Sequence, residues 1–291
     1  MEKKVLITGA TGVTGRHAIE NLLKMNIPVR ALVHRLDERS EKLAAQGVEV
    51  VQGDLSDFNR ISEVLQDIRA AYYLFPIQVP GIIESTAFFA QAALDNGVEA
   101  IVNMSQISAR PSAVSHASQN HWIAERVFDK FGVPVTHIRP TFFAEWLLYP
   151  ARLIKMRNQL IYPFGETPYA PITGEDQGRV IASILANPAP HAGKTYPLFG
   201  LEEMTQHQVA EILSEVIGTK ITYNPVPIAE FEPILKTAMG ANDYFTQHIL
   251  SVAQDCRDGI FSGTNNIIEE ITGQKPISMK EFIEKNKAAF I

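Results

Sequence analysis

The amino-acid sequence predicts an α/β fold: a doubly wound parallel sheet of the Rossmann type with a smaller C-terminal substrate lobe. First, short apolar runs alternate with helix-period segments over the first 140 residues. Second, those runs are apolar throughout, which is typical of strands in a parallel sheet that helices cover on both faces. Third, the 291 residues are 46% hydrophobic and 20% charged, an ordinary globular composition that suffices for a large core.

Six apolar runs provide the predicted strands. They span residues 5–8, 29–34, 48–52, 71–75, 100–104 and 135–138. Between them, apolar residues recur at the three- and four-residue spacing of one helix face. Such residues are Ala18, Ile19, Leu22 and Leu23, then Ile61, Val64, Leu65 and Ile68, then Ile123, Val127 and Phe128. We therefore assign residues 1–140 to the Rossmann domain.

The pattern changes after residue 140. Residues 141–175 carry many aromatic residues, prolines and glycines without a clean period. We expect residues 141–291 to form mainly the smaller lobe, while a helix and a strand within about 176–200 return to the Rossmann core. Two capping boxes predict where later helices begin, and a glycine predicts where the first of them ends. These residues are Thr205 with Gln208, Ser278 with Glu281, and Gly218.

Composition narrows the classes of partner. The net charge of −6 argues against a nucleic-acid groove or an anionic membrane surface, which need clustered Lys and Arg. Cys256 is the only cysteine, which fits a reducing compartment, and no apolar run approaches the roughly 20 residues of a membrane span. The sequence also lacks metal-ligand spacing and a G-x-S-x-G motif. We therefore expect a cytoplasmic protein without a metal, nucleic-acid or membrane partner.

A glycine-rich turn joins the first strand to the first helix. Residues 7–15 read Ile-Thr-Gly-Ala-Thr-Gly-Val-Thr-Gly. Gly9 permits the tight turn, Gly12 lets backbone N–H groups approach a pyrophosphate, and Gly15 lets the helix pack closely on the sheet. A diphosphate at a helix N-terminus is favoured by unpaired N–H groups and by the macrodipole. With a strand before it and a helix after it, this turn predicts a dinucleotide site.

The end of the second strand indicates which dinucleotide is bound. An acidic residue there usually bonds the ribose 2′-OH of NAD, whereas a basic residue accommodates the 2′-phosphate of NADP. Arg35 offers a planar fork of donors suited to phosphate, with Arg16 and His34 nearby. We therefore expect NADP(H) to be preferred over NAD(H). The alternatives are that Arg35 is merely a solvated side chain and that Asp37 serves NAD.

The turn after the third strand is placed to meet the adenine. Asp54 is a candidate acceptor for the exocyclic amine, and Leu55 a candidate packing surface for the ring. The alternative is that Asp54 only caps the helix that follows Ser56.

Several motifs together resemble the NmrA-like group of atypical short-chain dehydrogenases/reductases. They lie at residues 8–15, 35, 53–55, 133–143 (VPVTHIRPTFF), 193–200 (GKTYPLFG) and 268–282 (IEEITGQKPISMKEF). That group includes NADPH-dependent quinone and triphenylmethane-dye reductases, and also redox-sensing regulators that bind NADP. The resemblance implies roles for particular residues. Phosphate contacts fall on Gly9, Thr11, Gly12, Val13, Thr14 and Arg35, the ribose and nicotinamide side on Phe75 and Pro76, and the nicotinamide site on Ser105 and Gln106.

Ordinary members of the superfamily use a Tyr-x-x-x-Lys helix, in which the Tyr protonates the product alkoxide. Aligned on Glu125, the Tyr position is Ala117 and the Lys position is His121. Without that acid, reduction of a simple carbonyl is disfavoured. A quinone is different, because its product is a phenolate whose parent phenol has a pKa near 10, so water can complete the protonation.

The remaining candidates carry open alternatives. His121 is a candidate for ribose binding or proton donation, the alternative being a surface histidine beside Trp122. Gln106, Phe142, Phe143 and Trp146 are candidate substrate contacts, and the three aromatic residues together with Tyr149 are candidates for an apolar slot that takes a flat acceptor. The alternative is that these aromatic residues are plain core.

The sequence therefore predicts an NADPH-dependent oxidoreductase that delivers hydride to a quinone-like or other electron-poor planar small molecule. The alternative is a non-catalytic NADP(H)-sensing regulator of the NmrA type. We expect a small-molecule electron acceptor as partner, and the sequence leaves a homodimer open.

Overall fold

The computed structural model describes residues 3–291, apart from the side chains of residues 238 and 239. A seven-stranded sheet of order β3-β2-β1-β4-β5-β6-β8, parallel throughout, forms its centre. The strands are β1 (Lys4–Ile7), β2 (Val29–Val33), β3 (Glu49–Gln52), β4 (Ile68–Tyr73), β5 (Ala100–Met104), β6 (Val135–Pro140) and β8 (Thr195–Leu198). The order reverses between β1 and β4, which makes the sheet doubly wound. The predicted fold class is confirmed.

Helices cover both faces of this sheet. They are α1 (Val13–Lys24), α2 (Glu38–Ala44), α3 (Phe58–Val64), α4 (Ile82–Asp95), α5 (His116–Lys130) and α7 (Gly174–Ala186). Apolar residues of α1 and α7 pack in one layer against the sheet, and those of α3, α4 and α5 in the other. Because the strands are buried on both sides, their sequences are apolar throughout rather than alternating.

One predicted helix boundary is wrong. Ile68 fits the helix spacing set by Ile61 and Val64, but it is the first residue of β4. The reason is Asp67, whose φ of 60° lies in the left-handed region and breaks the helical path.

The segment after β6 contributes to both parts of the molecule. A 3-10 helix (Ala144–Leu148) and α6 (Ala151–Arg157) precede β7 (Gln159–Tyr162), which pairs in parallel with β9 (Thr222–Pro225). The later helices are α8 (Gln206–Ile217), α9 (Ile228–Met239), α10 (Asp243–Arg257), α11 (Ile267–Thr272) and α12 (Met279–Lys285). A separate apolar cluster joins residues from 142 to 290, whereas α7 and β8 pack on or within the main sheet.

The predicted helix caps are confirmed. Thr205 and Gln208 form a capping box at the start of α8, which ends at Gly218 with a φ of 77°. Ser278 and Glu281 form the box of α12. Within residues 3–291, no helix is long and apolar enough to cross a membrane.

Helices α1 and α7 approach each other closely, because α7 has glycines where the two helices touch. A Cβ atom on Gly178 would lie 2.4 Å from the Cβ of His17 and 2.8 Å from the backbone nitrogen of Ala18. A Cβ atom on Gly174 would lie 2.1 Å from Val13 Cγ1. Any larger side chain would push α7 away from the first turn of α1.

Candidate functional site

The candidate site lies at the carboxyl ends of the parallel strands, where doubly wound sheets bind ligands. At the point where the strand order reverses, Thr8 follows β1 and Leu74 follows β4. The Thr8 hydroxyl oxygen accepts a hydrogen bond from the Leu74 N–H at 2.7 Å and donates to the Leu74 carbonyl at 3.2 Å. These two bonds fix the start of the glycine-rich turn against the next strand.

The glycine-rich turn has the geometry of an anion site. Gly9 adopts a φ of 57°, and the Gly12 N–H donates to the Gly9 carbonyl at 2.9 Å. Gly12 is the N-cap of α1, with no side-chain cap and no acidic residue in the first turn, so the first amides face outward. A Cβ atom on Gly15 would lie 2.4 Å from the Gly9 carbonyl oxygen, which explains the need for glycine there.

The other residues of this turn differ in what they offer. Thr11 and Val13 are half-buried at the start of α1. Thr14 is buried, and its hydroxyl shares a 3.1 Å hydrogen bond with the hydroxyl of Tyr72. Thr14 therefore offers a phosphate its main-chain N–H, while its hydroxyl is already engaged with Tyr72.

Asp37 and Arg35 follow β2 and are the candidates for selecting NAD or NADP. They differ in whether their side chains already bond other residues. Asp37 caps α2, accepting from the backbone N–H groups of Arg39 at 3.0 Å and Ser40 at 3.2 Å, and it pairs with the Arg39 guanidinium at 2.6 Å. Hydrogen bonding to Arg39 holds the pKa of this carboxyl below its usual value. Arg35 is exposed and has no hydrogen bond or ion pair with any residue that the structure describes.

Asp54 organises its own turn. Its Oδ1 accepts from the N–H of Ser56 at 2.8 Å and from the Ser56 hydroxyl at 2.7 Å, and the backbone bond is the main cause of its lowered pKa. The expected alternative, that Asp54 caps the next helix, is wrong, because Asp57 caps α3. Leu55 is half-buried and packs against the core layer beneath it.

Polar atoms without partners gather after β5 and on α5. Ser105 is fixed by its N–H, which donates to the Ile138 carbonyl at 2.8 Å. Among the described residues, the buried Ser105 Oγ, Gln106 Nε2 and His121 Nδ1 have no hydrogen bond of normal geometry, although the Ser105 hydroxyl lies next to the Glu125 carboxylate. Buried polar groups normally have partners, so three such atoms in this region fit a polar ligand group such as a nicotinamide amide or a ribose. The glycine turn and these atoms together fit a nicotinamide dinucleotide.

A small cavity lies beside His121. It is lined by Phe75, Pro76, Ile77, Ala117, His121 and Tyr244 among others, and its volume of about 10 Å³ is close to what one water molecule needs. Ala117 and His121 are four residues apart on α5, so both face the cavity. A planar acceptor therefore needs its walls to move apart.

His121 is buried, with 5% of its surface exposed, so the surface alternative is wrong. Burial lowers its pKa to about 4, although the nearby carboxylate of Glu125 acts in the opposite direction. The ring is therefore neutral near pH 7. Glu125 itself is fully buried and holds the Arg139 guanidinium with bonds of 2.8 and 2.5 Å.

A second carboxyl group lies against the glycine-rich turn. Glu145 Oε1 accepts from the Gly174 N–H at 2.9 Å, while its buried Oε2 has no partner among the described residues. Burial raises the pKa of this carboxyl, and the neighbouring charge of Arg16 lowers it less. Nothing in the spacing of the sequence pointed to Glu145.

The aromatic run after β6 packs into the lobe. Phe142 is 6% exposed, and its ring centroid lies 4.7 Å from that of Phe164 and 5.2 Å from that of Trp146. The gap among these rings is also only about 10 Å³. Phe143 is half-buried against the core of the main sheet. These contacts are those of core packing, and a substrate role for Phe142, Phe143 and Trp146 stays a prediction.

Sequence reasoning missed the contribution of α10. Tyr244 lines the cavity, and His248 shares a 2.7 Å hydrogen bond with the hydroxyl of Ser115, the residue that caps α5. Burial lowers the pKa of His248 to about 3, with a smaller contribution from His121. These residues are more than 100 positions away from α5, so no local spacing could reveal them.

Comparison with known proteins agrees with this architecture. The sequence model of the NmrA-like family matches residues 1–283. An NAD(P)H azoreductase of Xenophilus azovorans is 25% identical over 98% of this chain and 99% of its own length. Quinone oxidoreductase 2 of Escherichia coli (strain K12) is 28% identical over 80% of this chain and 81% of its own length.

A solved structure shares the fold over nearly the whole chain. The NADPH-dependent quinone oxidoreductase QOR2 of Escherichia coli, complexed with NADPH, superposes with a TM-score of 0.87 at 24% identity. The match covers 97% of this chain and 99% of that one. On the family match over residues 1–283, this chain belongs to the NmrA-like family.

Proposed function

We propose that this protein is a reductase that uses NADPH to transfer hydride to a quinone-like or other electron-poor planar small molecule. The observation that carries the proposal is the set of three buried, unpartnered polar atoms on Ser105, Gln106 and His121. They lie at the edge of the sheet that also holds the glycine-rich turn. The bound cofactor would supply the hydride, and two of the curated relatives that match are named NAD(P)H azoreductase and quinone oxidoreductase 2.

The diphosphate would be held by the main-chain amides of Thr11, Val13 and Thr14 at the N-terminus of α1, since the Gly12 amide already donates to Gly9. Arg35 would bind the 2′-phosphate, because its guanidinium is exposed and has no partner among the described residues. Asp37 is less suited to bond a ribose hydroxyl, since its carboxylate already caps α2 and pairs with Arg39. These contacts support a preference for NADPH over NADH.

The nicotinamide end would meet Phe75 and Pro76 on one side and Ser105 and Gln106 on the other. His121 stays neutral, so its Nδ1 can take part in one hydrogen bond to the ribose or the amide without adding charge. Burial also raises the pKa of Glu145, the carboxyl group that lies near this turn.

The acceptor class follows from Ala117. Because α5 carries no phenol at that position and no Lys at the position of His121, acceptors whose product is a weak base are favoured. A quinone meets this condition, since its product is a phenolate. The lone cysteine is buried and its pKa is raised by burial, which is consistent with the cytoplasmic setting that we also propose.

The test is NADPH oxidation, followed by the loss of its absorbance, against a panel of quinones, triphenylmethane dyes and azo compounds. We expect turnover with at least one quinone and a lower KM for NADPH than for NADH. Tight NADPH binding in calorimetry, without oxidation by any acceptor above the rate without protein, would contradict the proposal and favour the redox-sensing alternative.

A further inference from the structure

The cavity beside His121 is closed from the lobe side by one residue with an ionisable hydroxyl. Of the side chains that line this cavity in the described structure, only those of His121 and Tyr244 carry an exchangeable proton. His121 is a poor acid, because a neutral imidazole gives up its remaining N–H only with great difficulty. A phenol, with an ordinary pKa near 10, is a far better proton donor.

Helix α10 is held firmly over the start of α5, so the position of Tyr244 is fixed by several contacts. Gln247 accepts from the N–H of His116 at 3.1 Å and donates to the carbonyl of Val114 at 2.9 Å. The next residue of α10, His248, shares a 2.7 Å hydrogen bond with the hydroxyl of Ser115. The helix is therefore attached to the start of α5 by two consecutive side chains.

The phenol of Tyr244 is oriented toward α5. Its oxygen accepts a long hydrogen bond from Asn120 Nδ2 at 3.5 Å, which leaves the phenolic proton free to be donated elsewhere. Asn120 immediately precedes His121, and Ala117 presents only a methyl group to the same cavity. The α5 wall of the cavity therefore has no acid at position 117. The α10 wall has one, the phenol of Tyr244.

We propose that Tyr244 is the proton donor to the reduced acceptor, supplied from α10 in place of a phenol on α5. This inference rests on the proposed function, because it needs a nicotinamide dinucleotide as hydride source. It widens the acceptor class to compounds whose reduced atom is a stronger base than phenolate, such as azo compounds and imines.

The step balances for an azo acceptor. Hydride from reduced nicotinamide forms an N–H bond at one nitrogen, and the π pair of the N=N bond moves to the other nitrogen. That nitrogen takes the Tyr244 proton, which gives a hydrazine, and water reprotonates the tyrosinate. A C–H bond of the reduced dinucleotide would break to supply the hydride with both electrons, and the single proton would come from solvent through Tyr244.

The test compares Tyr244→Phe with the wild type on two acceptors, an azo dye and a quinone. A general acid contributes about 10²- to 10⁴-fold, so the ratio of azo to quinone kcat/KM should fall about a hundredfold. Azo reduction by the wild type should also decline at high pH as the phenol ionises, and the variant should lack that decline. Tyr196→Phe is the matched control, since Tyr196 lies on β8, away from the cavity, and its hydroxyl bonds His191.

A second measurement separates proton donation from folding or cofactor binding. NADPH affinity, measured by nucleotide fluorescence, should stay within about twofold of the wild-type value in Tyr244→Phe. An unchanged acceptor ratio and pH profile in Tyr244→Phe, with an active wild type, would overturn this inference alone. A wild type that is inactive with both acceptors would overturn the proposed function and this inference with it.

Discussion

The guanidinium of Arg110, in the segment after β5, donates two hydrogen bonds to the carboxylate of Asp255 on α10, at 2.9 and 2.5 Å. The Asp255 side chain is only 7% exposed, and the pair spans 145 positions of sequence. It connects the strand end that carries Ser105 to the helix that carries Tyr244.

Arg110→Met should lower the free energy of unfolding by about 3 kcal/mol, because it leaves the buried Asp255 carboxylate without its cation. Urea denaturation measures the change. The matched control is Lys280→Met, whose pair with Glu215 is exposed on both sides and should contribute at most about 1 kcal/mol. Equal losses in the two variants would mean that the Arg110 pair is no more than a surface contact.

Arg35→Ala should weaken NADPH binding about ten- to a hundredfold, the equivalent of about 1.5–3 kcal/mol for charge-assisted hydrogen bonds, and NADH binding far less. Calorimetric titration with both nucleotides measures the difference. Lys42→Ala removes the same charge from the exposed face of α2, where Lys42 pairs with Glu38, and should affect both nucleotides equally. Equal losses for NADPH and NADH in Arg35→Ala would show that the 2′-phosphate is bound elsewhere.

The stability of the protein should depend on pH through His248 and His121. Burial lowers the pKa of His248 from 6.5 to about 3 and that of His121 from 6.5 to about 4. At a pH between these lowered values and 6.5, both histidines are protonated in the unfolded chain but neutral in the folded chain. The free energy of unfolding is therefore fully retained above about pH 6.5 and falls as the pH decreases below it. His248→Asn should lose about 2 kcal/mol less than the wild type between about pH 7 and about pH 5. If the free energies of unfolding of the wild type and His248→Asn, measured with urea, have the same pH dependence, then His248 is not its source.

Phe142→Ala distinguishes core packing from a substrate contact. Because Phe142 is buried among Phe164, Trp146 and Phe261, its truncation should cost about 3–5 kcal/mol of unfolding free energy. Tyr149→Ala, at a side chain that is 61% exposed, should cost much less. A normal urea midpoint in Phe142→Ala, combined with a raised KM for the acceptor, would instead support the apolar slot.

Sequence patterns correctly predicted those parts of the fold that depend on residues close together in the chain. The strands, the glycine-rich turn and the capping boxes are each set by residues within about ten positions of one another. The bond between Ser115 and His248 spans 133 positions and has no periodicity to find. Burial of His121 was equally hidden, because it depends on α10 covering that face of α5.

The aromatic run shows a different limit. An apolar slot and a packed core give the same sequence pattern, because both need several aromatic residues close together. The structure distinguishes them: the ring centroids of Phe142 and Phe164 are only 4.7 Å apart, which is the spacing of a packed core.

The glycines of α7 couple the two ends of the chain. Gly174 brings the start of α7 against Val13, and the next two residues hold the C-terminal segment: Glu175 pairs with Lys285 at 2.8 Å, and Asp176 accepts from the N–H of Ile277 at 3.0 Å. A nucleotide that immobilises the first turn of α1 therefore also restrains residues 277–285. Amide hydrogen exchange at residues 277–285 would in this way report occupancy of the turn at residues 7–15.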